Sequence, residues 1–122
     1  MRTFIFALIG CCCVLGQAQE AADFKAQVRH TIDELVDFVS IPNDALNSAD
    51  INRNIRWLSE KFSQRGFNTS VLPTEGQPLF FAALPMKADK PTLLFYMHFD
   101  GQSVDPSKWD QPDPYKTVLK SP

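Results

Sequence analysis

The sequence predicts an α/β fold, and three observations predict it. Two stretches carry helical apolar spacing, two short β-prone runs follow them, and a nearly continuous apolar run then ends at His98. Composition agrees: of 122 residues, 44% are hydrophobic and 21% charged, which is the balance of a globular chain and not of a disordered or collagenous one. The net charge is −2, and the Lys and Arg residues are scattered. That leaves no electrostatic footprint for nucleic acid or an anionic membrane, so neither partner is expected.

The first element is read as an export signal. Arg2 precedes an apolar run from Phe4 to Leu15, and the small residues Gly16 and Ala18 occupy the −3 and −1 positions of a cut before Gln19. Residues 1–18 are thus expected to be a cleaved signal peptide and 19–122 the folding part of an exported chain, periplasmic or secreted. A twelve-residue run is short for a bilayer, which takes roughly 20 apolar residues, so no integral membrane span is expected. Cys11, Cys12 and Cys13 all fall inside the signal and read as small apolar residues, since adjacent cysteines cannot bridge without strain. As an alternative, Leu8-Ile9-Gly10-Cys11 resembles a lipobox, which would lipidate Cys11.

Between Ala22 and Ser40, Phe24, Val28, Ile32, Leu35, Val36 and Val39 recur at spacings that lay one apolar stripe along a helix, ended by Ile41-Pro42. Asn47, Ser48 and Asp50 are capping candidates for a second helix, whose stripe is Ile51, Ile55, Leu58 and Phe62 and whose end is Gly66. Thr69–Leu72 and Leu79–Leu84, separated by turn residues Pro73 to Pro78, predict neighbouring strands. After the break at Lys90-Pro91, Thr92–His98 is almost wholly apolar. It is expected to be the central strand of a mostly parallel sheet, buried on both faces. The chain then turns polar and Pro-rich, as a long loop.

The chemistry lies where that strand runs out. Residues two apart on a strand share a face, so His98 and Asp100 are expected side by side at the carboxyl edge of the sheet, where ligands of open α/β sheets sit. A metal-bound imidazole gives its other N–H to a carboxylate, which sets the tautomer, and Asp100 is placed to receive it. Gly101 is expected to let the backbone turn away without a Cβ penalty.

The order of elements, with Tyr96-Met-His-Phe-Asp-Gly101, then Trp109 and Pro114-Tyr115, resembles the N-terminal portion of the dizinc amidohydrolases. That family includes acetylornithine deacetylase, succinyl-diaminopimelate desuccinylase, carboxypeptidase G and carnosinase-type dipeptidases. The resemblance spans roughly Ala22 to Pro122, and only its second half is specific; relatives more often have Pro-Phe where this chain has Pro114-Tyr115. It implies the opening, incomplete here, of a zinc-exopeptidase-like catalytic domain of α/β class. A smaller α+β dimerisation domain would be inserted later, and a homodimer would follow from it. It implies a hydrolase that cleaves an amide or peptide bond of a dipeptide or N-acyl amino acid with two zinc ions. By the same resemblance His98 is a zinc ligand and Asp100 the active-site carboxylate that orients it. The family's Gly-Arg-Gly-x-x-Asp-Asp box, its Glu-Glu pair and its later ligands would lie beyond Pro122, so the chain as it stands is expected to be inactive.

Other candidates read blandly. His30 lies off the apolar stripe and is expected to be a solvated surface residue. Trp109 and Tyr115 are expected to anchor the loop against the sheet in preference to lining a substrate pocket. Asp105, Asp110 and Asp113 are expected to be solvated loop charges. Two rival functions remain open at this level: an exported, non-catalytic α/β binding module in which His98 and Asp100 form a structural hydrogen bond, and a hydrolase with a single zinc.

Overall fold

The structure is a computed structural model that describes residues 23–118 and 120. The expected signal peptide, its three cysteines and the lipobox alternative lie outside the described residues. The chain divides into two compact units, Met1–Asp37 and Phe38–Pro122.

In the first unit the described residues are helical, belonging to a helix, α1, that runs over residues 23–39 as the apolar spacing predicts. The stripe itself stays exposed: Phe24, Val28, Ile32 and Leu35 all remain open to solvent. His30 is exposed as expected, with Glu34 3.7 Å away one turn on.

The second unit is built on α2, Ser48–Gln64. Its start is a capped turn: the Asn47 side chain accepts from the backbone N–H of Ala49 at 3.0 Å and of Asp50 at 3.4 Å, and the Asp50 N–H also donates to the Asn47 backbone carbonyl at 3.0 Å. Its end is a glycine stop. Gly66 sits at φ 83°, its N–H bonds to the Ser63 carbonyl and the Phe67 N–H reaches back to the Phe62 carbonyl. The Phe62 and Phe67 rings meet edge to face at 5.1 Å, the apolar contact that accompanies this type of cap.

The Gly66 reversal feeds β1, Asn68–Leu72, which pairs antiparallel with β2, Leu79–Ala83, from Asn68 opposite Ala83 to Leu72 opposite Leu79. Phe80 of β2 packs edge to face on Phe62 of α2 at 5.5 Å, seating the hairpin on the helix. On the opposite flank of α2, Trp57 stacks on Phe38 at 4.8 Å. The apolar core among the described residues is small, consisting of Ile51 and Ile55.

Two expectations about the sheet are not met among the described residues. Among the described residues the sheet has two strands and is antiparallel; the one parallel contact is an isolated bridge between Asp44 and Gly101. The apolar run Thr92–His98 is extended but joins no ladder, and Leu93 to Met97 are between 76% and 83% exposed. The physical reason is that a buried strand depends on neighbours at both edges and on layers over both faces. Here β1 and β2 pair with each other, and the connection through Pro85, a turn closed by Lys90 N–H on the Lys87 carbonyl, and Pro91 carries the run away from them. The described residues are thus α/β in content, with two α-helices and one hairpin.

Candidate metal centre

His98 and Asp100 are brought together as the sequence predicts. His98 Nδ1 lies 3.1 Å from Asp100 Oδ1, where the carboxylate accepts and Nδ1–H is the donor. Sequence reasoning missed Tyr96 as a third member of this row. Its hydroxyl stands 3.3 Å from Nε2, with the two rings edge to face at 5.3 Å. The signal was present, because Tyr96, His98 and Asp100 are two residues apart and so share one face of an extended chain. All three are exposed.

What positions the pair is not a sheet but a clasp from the loop before α2. Asn43 Nδ2 donates to the Phe99 carbonyl at 2.9 Å, the Gly101 N–H donates to the Asn43 carbonyl at 2.8 Å, and the Ala45 N–H donates to the Gly101 carbonyl at 2.9 Å. Asp100 lies between two pinned residues. The loop is in turn held by the helix: Asn54, 1% exposed in α2, donates to the Pro42 carbonyl at 2.8 Å and to the Asp50 carbonyl at 3.0 Å. From the other side Gln77 Nε2, in the hairpin loop, donates to the Ala45 carbonyl at 2.9 Å.

Gly101 therefore has a different reason to be glycine than the one its sequence context implies. Its φ is not in the left-handed region. A Cβ there would stand 3.0 Å from Asn43 Oδ1 and 3.1 Å from Asn43 Nδ2, so the requirement is close approach and not a turn. Next to it, Asp44 accepts from the Ser103 hydroxyl and from the Leu46 N–H. The Ser103 bond first, and the Leu46 bond second, hold the Asp44 carboxyl below its ordinary value of 3.8.

Comparison with known protein families, with curated proteins and with solved structures finds no match. What the geometry itself allows can be stated. An imidazole with Nδ1 bonded to a carboxylate fits one corner of a zinc site through Nε2, and the Tyr96 hydroxyl would have to turn aside for a metal to take its place. A catalytic zinc takes about three protein ligands. Among the described residues, no group of three or more His, Cys, Asp or Glu is arranged to hold a metal ion.

Trp109 and Tyr115 line a shallow groove of about 520 Å³ together with Val39, Asn43, Gly101 and Val118. Neither His98 nor Asp100 lines it. The three loop carboxylates have local roles. Asp105 accepts from the Ser107 N–H and hydroxyl at the head of a short 3₁₀ turn, Pro106–Lys108. Asp110 lies 3.5 Å from Lys120, and Asp113 accepts from the Tyr115 N–H. No helix among the described residues is long and apolar enough to cross a membrane.

Proposed function

We propose that this chain carries one corner of the active site of a dizinc hydrolase that cleaves an amide or peptide bond in a small substrate, a dipeptide or an N-acyl amino acid. The observation that carries the reading is the His98 Nδ1 to Asp100 Oδ1 bond at 3.1 Å, which orients the ring and leaves Nε2 as the ligating nitrogen. It is supported by the sequence around the pair, with the apolar run before it and Trp109 and Pro114-Tyr115 after it. Zinc ions, when bound, supply Lewis acidity and lower the pKa of a coordinated water toward neutrality. His98 would hold one of them through Nε2, and Asp100 would keep the imidazole in the correct tautomer and raise its basicity.

The parts of the proposal that reach beyond these two residues belong to the same reading: a mostly parallel sheet that takes Thr92–His98 as a central strand, export directed by residues 1–18, and homodimerisation. Further ligands and a Glu to move the proton would have to be supplied from outside the described residues.

The sequence encoded after Pro122 tests the proposal. A Gly-Arg-Gly-x-x-Asp-Asp box and a Glu-Glu pair support it. The protein expressed from that frame should then hold two zinc ions per chain, hydrolyse dipeptides or N-acyl amino acids, and lose activity with chelation and with His98→Ala. A reading frame without these boxes contradicts it and favours the non-catalytic module, in which the His98–Asp100 bond is structural; a single zinc ion per chain favours the one-metal hydrolase.

A further inference from the structure

Strand β1 carries a feature that the metal site does not use. Asn68-Thr69-Ser70 is the one triplet of the 122 residues with Asn first, Ser or Thr third and a residue other than Pro between them. Asn68 is exposed and stands just beyond the Gly66 cap, where the chain leaves α2; Ser70 is exposed on the same strand. In the ladder Asn68 faces Ala83 at the end of the hairpin remote from its loop. Among the described residues the sheet has two strands, so β1 has an outer edge that no strand covers. A large hydrophilic group at Asn68 would extend into solvent and shield that edge from pairing with another chain. None of the three residues lines the groove or touches the His98–Asp100 row.

We propose that Asn68 is an N-glycosylation site, modified as the chain enters a eukaryotic-type secretory pathway. The inference rests on the export reading of residues 1–18 and is independent of the zinc chemistry. The reaction takes an oligosaccharide from a lipid-linked pyrophosphate donor. The Asn68 side-chain nitrogen forms a C–N bond to the anomeric carbon and the sugar's C–O bond to pyrophosphate breaks. The lipid pyrophosphate departs with the electron pair, and the amide nitrogen gives up one proton.

The test expresses the full chain in cultured secretory cells, once with its own leader and once with a heterologous cleavable leader. Mass and electrophoretic mobility are read before and after peptide N-glycosidase. Because transfer precedes folding, total membrane-enclosed protein is analysed, so poor folding does not hide the result. A single discrete step in mobility, removed by the glycosidase with conversion of Asn68 to Asp, supports the proposal. Loss of the step in both Asn68→Gln and Ser70→Ala, with its retention in Ser70→Thr, assigns it to this triplet. Modification under the heterologous leader alone, with the chain kept out of the lumen under its own leader, overturns the proposal by removing the export on which it rests. Chain that enters the lumen under the heterologous leader and keeps the bare polypeptide mass overturns the proposal.

Discussion

Asn43 and Gly101 fit against each other so closely that a methyl group on Gly101 would lie 3.0 Å from the Asn43 side-chain oxygen Oδ1, while the Asn43 side-chain amide nitrogen holds the Phe99 carbonyl at 2.9 Å. To make room for a Cβ the side chain has to shift by a few tenths of an ångström, which strains that bond. Gly101→Ala should therefore loosen the clasp on both sides of Asp100. Overpacking of this kind costs about 1–3 kcal/mol. The expected outcome is on the order of tenfold faster hydrogen exchange at the Ala45 amide, which donates to the Gly101 carbonyl. Unchanged Ala45 exchange would mean that Asn43 has room to move.

Asn54 is the buried link between helix and clasp. Asn54→Ala leaves the Pro42 and Asp50 carbonyls without their side-chain donor, a loss of about 1–3 kcal/mol where the groups stay buried. Nuclear magnetic resonance should show the Asn43–Ala45 and Phe99–Gly101 signals shifting together, with the β1–β2 hairpin signals unmoved. Confinement of the change to α2 would show that the loop does not depend on this residue.

Asp44 gives a pH prediction with a definite sign. Its folded pKa is lowered from 3.8, first by the Ser103 hydroxyl and then by the Leu46 N–H. The stability it contributes is therefore fully present above pH 3.8 and is lost as pH falls through the folded value. In a carboxyl titration Ser103→Ala should move the Asp44 midpoint up toward the unfolded value. A midpoint that stays put in the variant would show that the backbone donor suffices.

The run Leu93–Met97 is uncharged, β-prone and open to solvent, which is the pattern of a strand that pairs with other chains. The chain should associate with rising concentration in sedimentation velocity, and Leu94→Lys should reduce that association markedly. Monomeric behaviour of the unsubstituted chain at high concentration would contradict this.

These expectations also show which features the sequence could carry. Helix α2 was legible to its ends because its signals are local: the Asn47 cap, the Ile51, Ile55, Leu58 and Phe62 spacing, and the Gly66 stop all act within a few residues. The hairpin was legible for the same reason. Burial of Thr92–His98 was not, because apolarity marks a preference for neighbours and cannot supply them. The His98–Asp100 pairing followed from period two alone. The residues that hold it in place, Asn43 and Asn54, are remote in sequence from Asp100, and a polar residue that caps a distant carbonyl leaves no periodic trace.

The central claim, that His98 is a zinc ligand oriented by Asp100, is tested most directly by titrating zinc into the chain while following the imidazole nitrogens by nuclear magnetic resonance. The account predicts a response at His98 Nε2 with affinity no tighter than about micromolar, as befits one ligand of the roughly three a catalytic zinc takes. Asp100→Asn should weaken it by about 10- to 100-fold, and His98→Ala should abolish it. A His98 ring that stays silent at millimolar zinc, or binding that survives His98→Ala unchanged, would contradict the account.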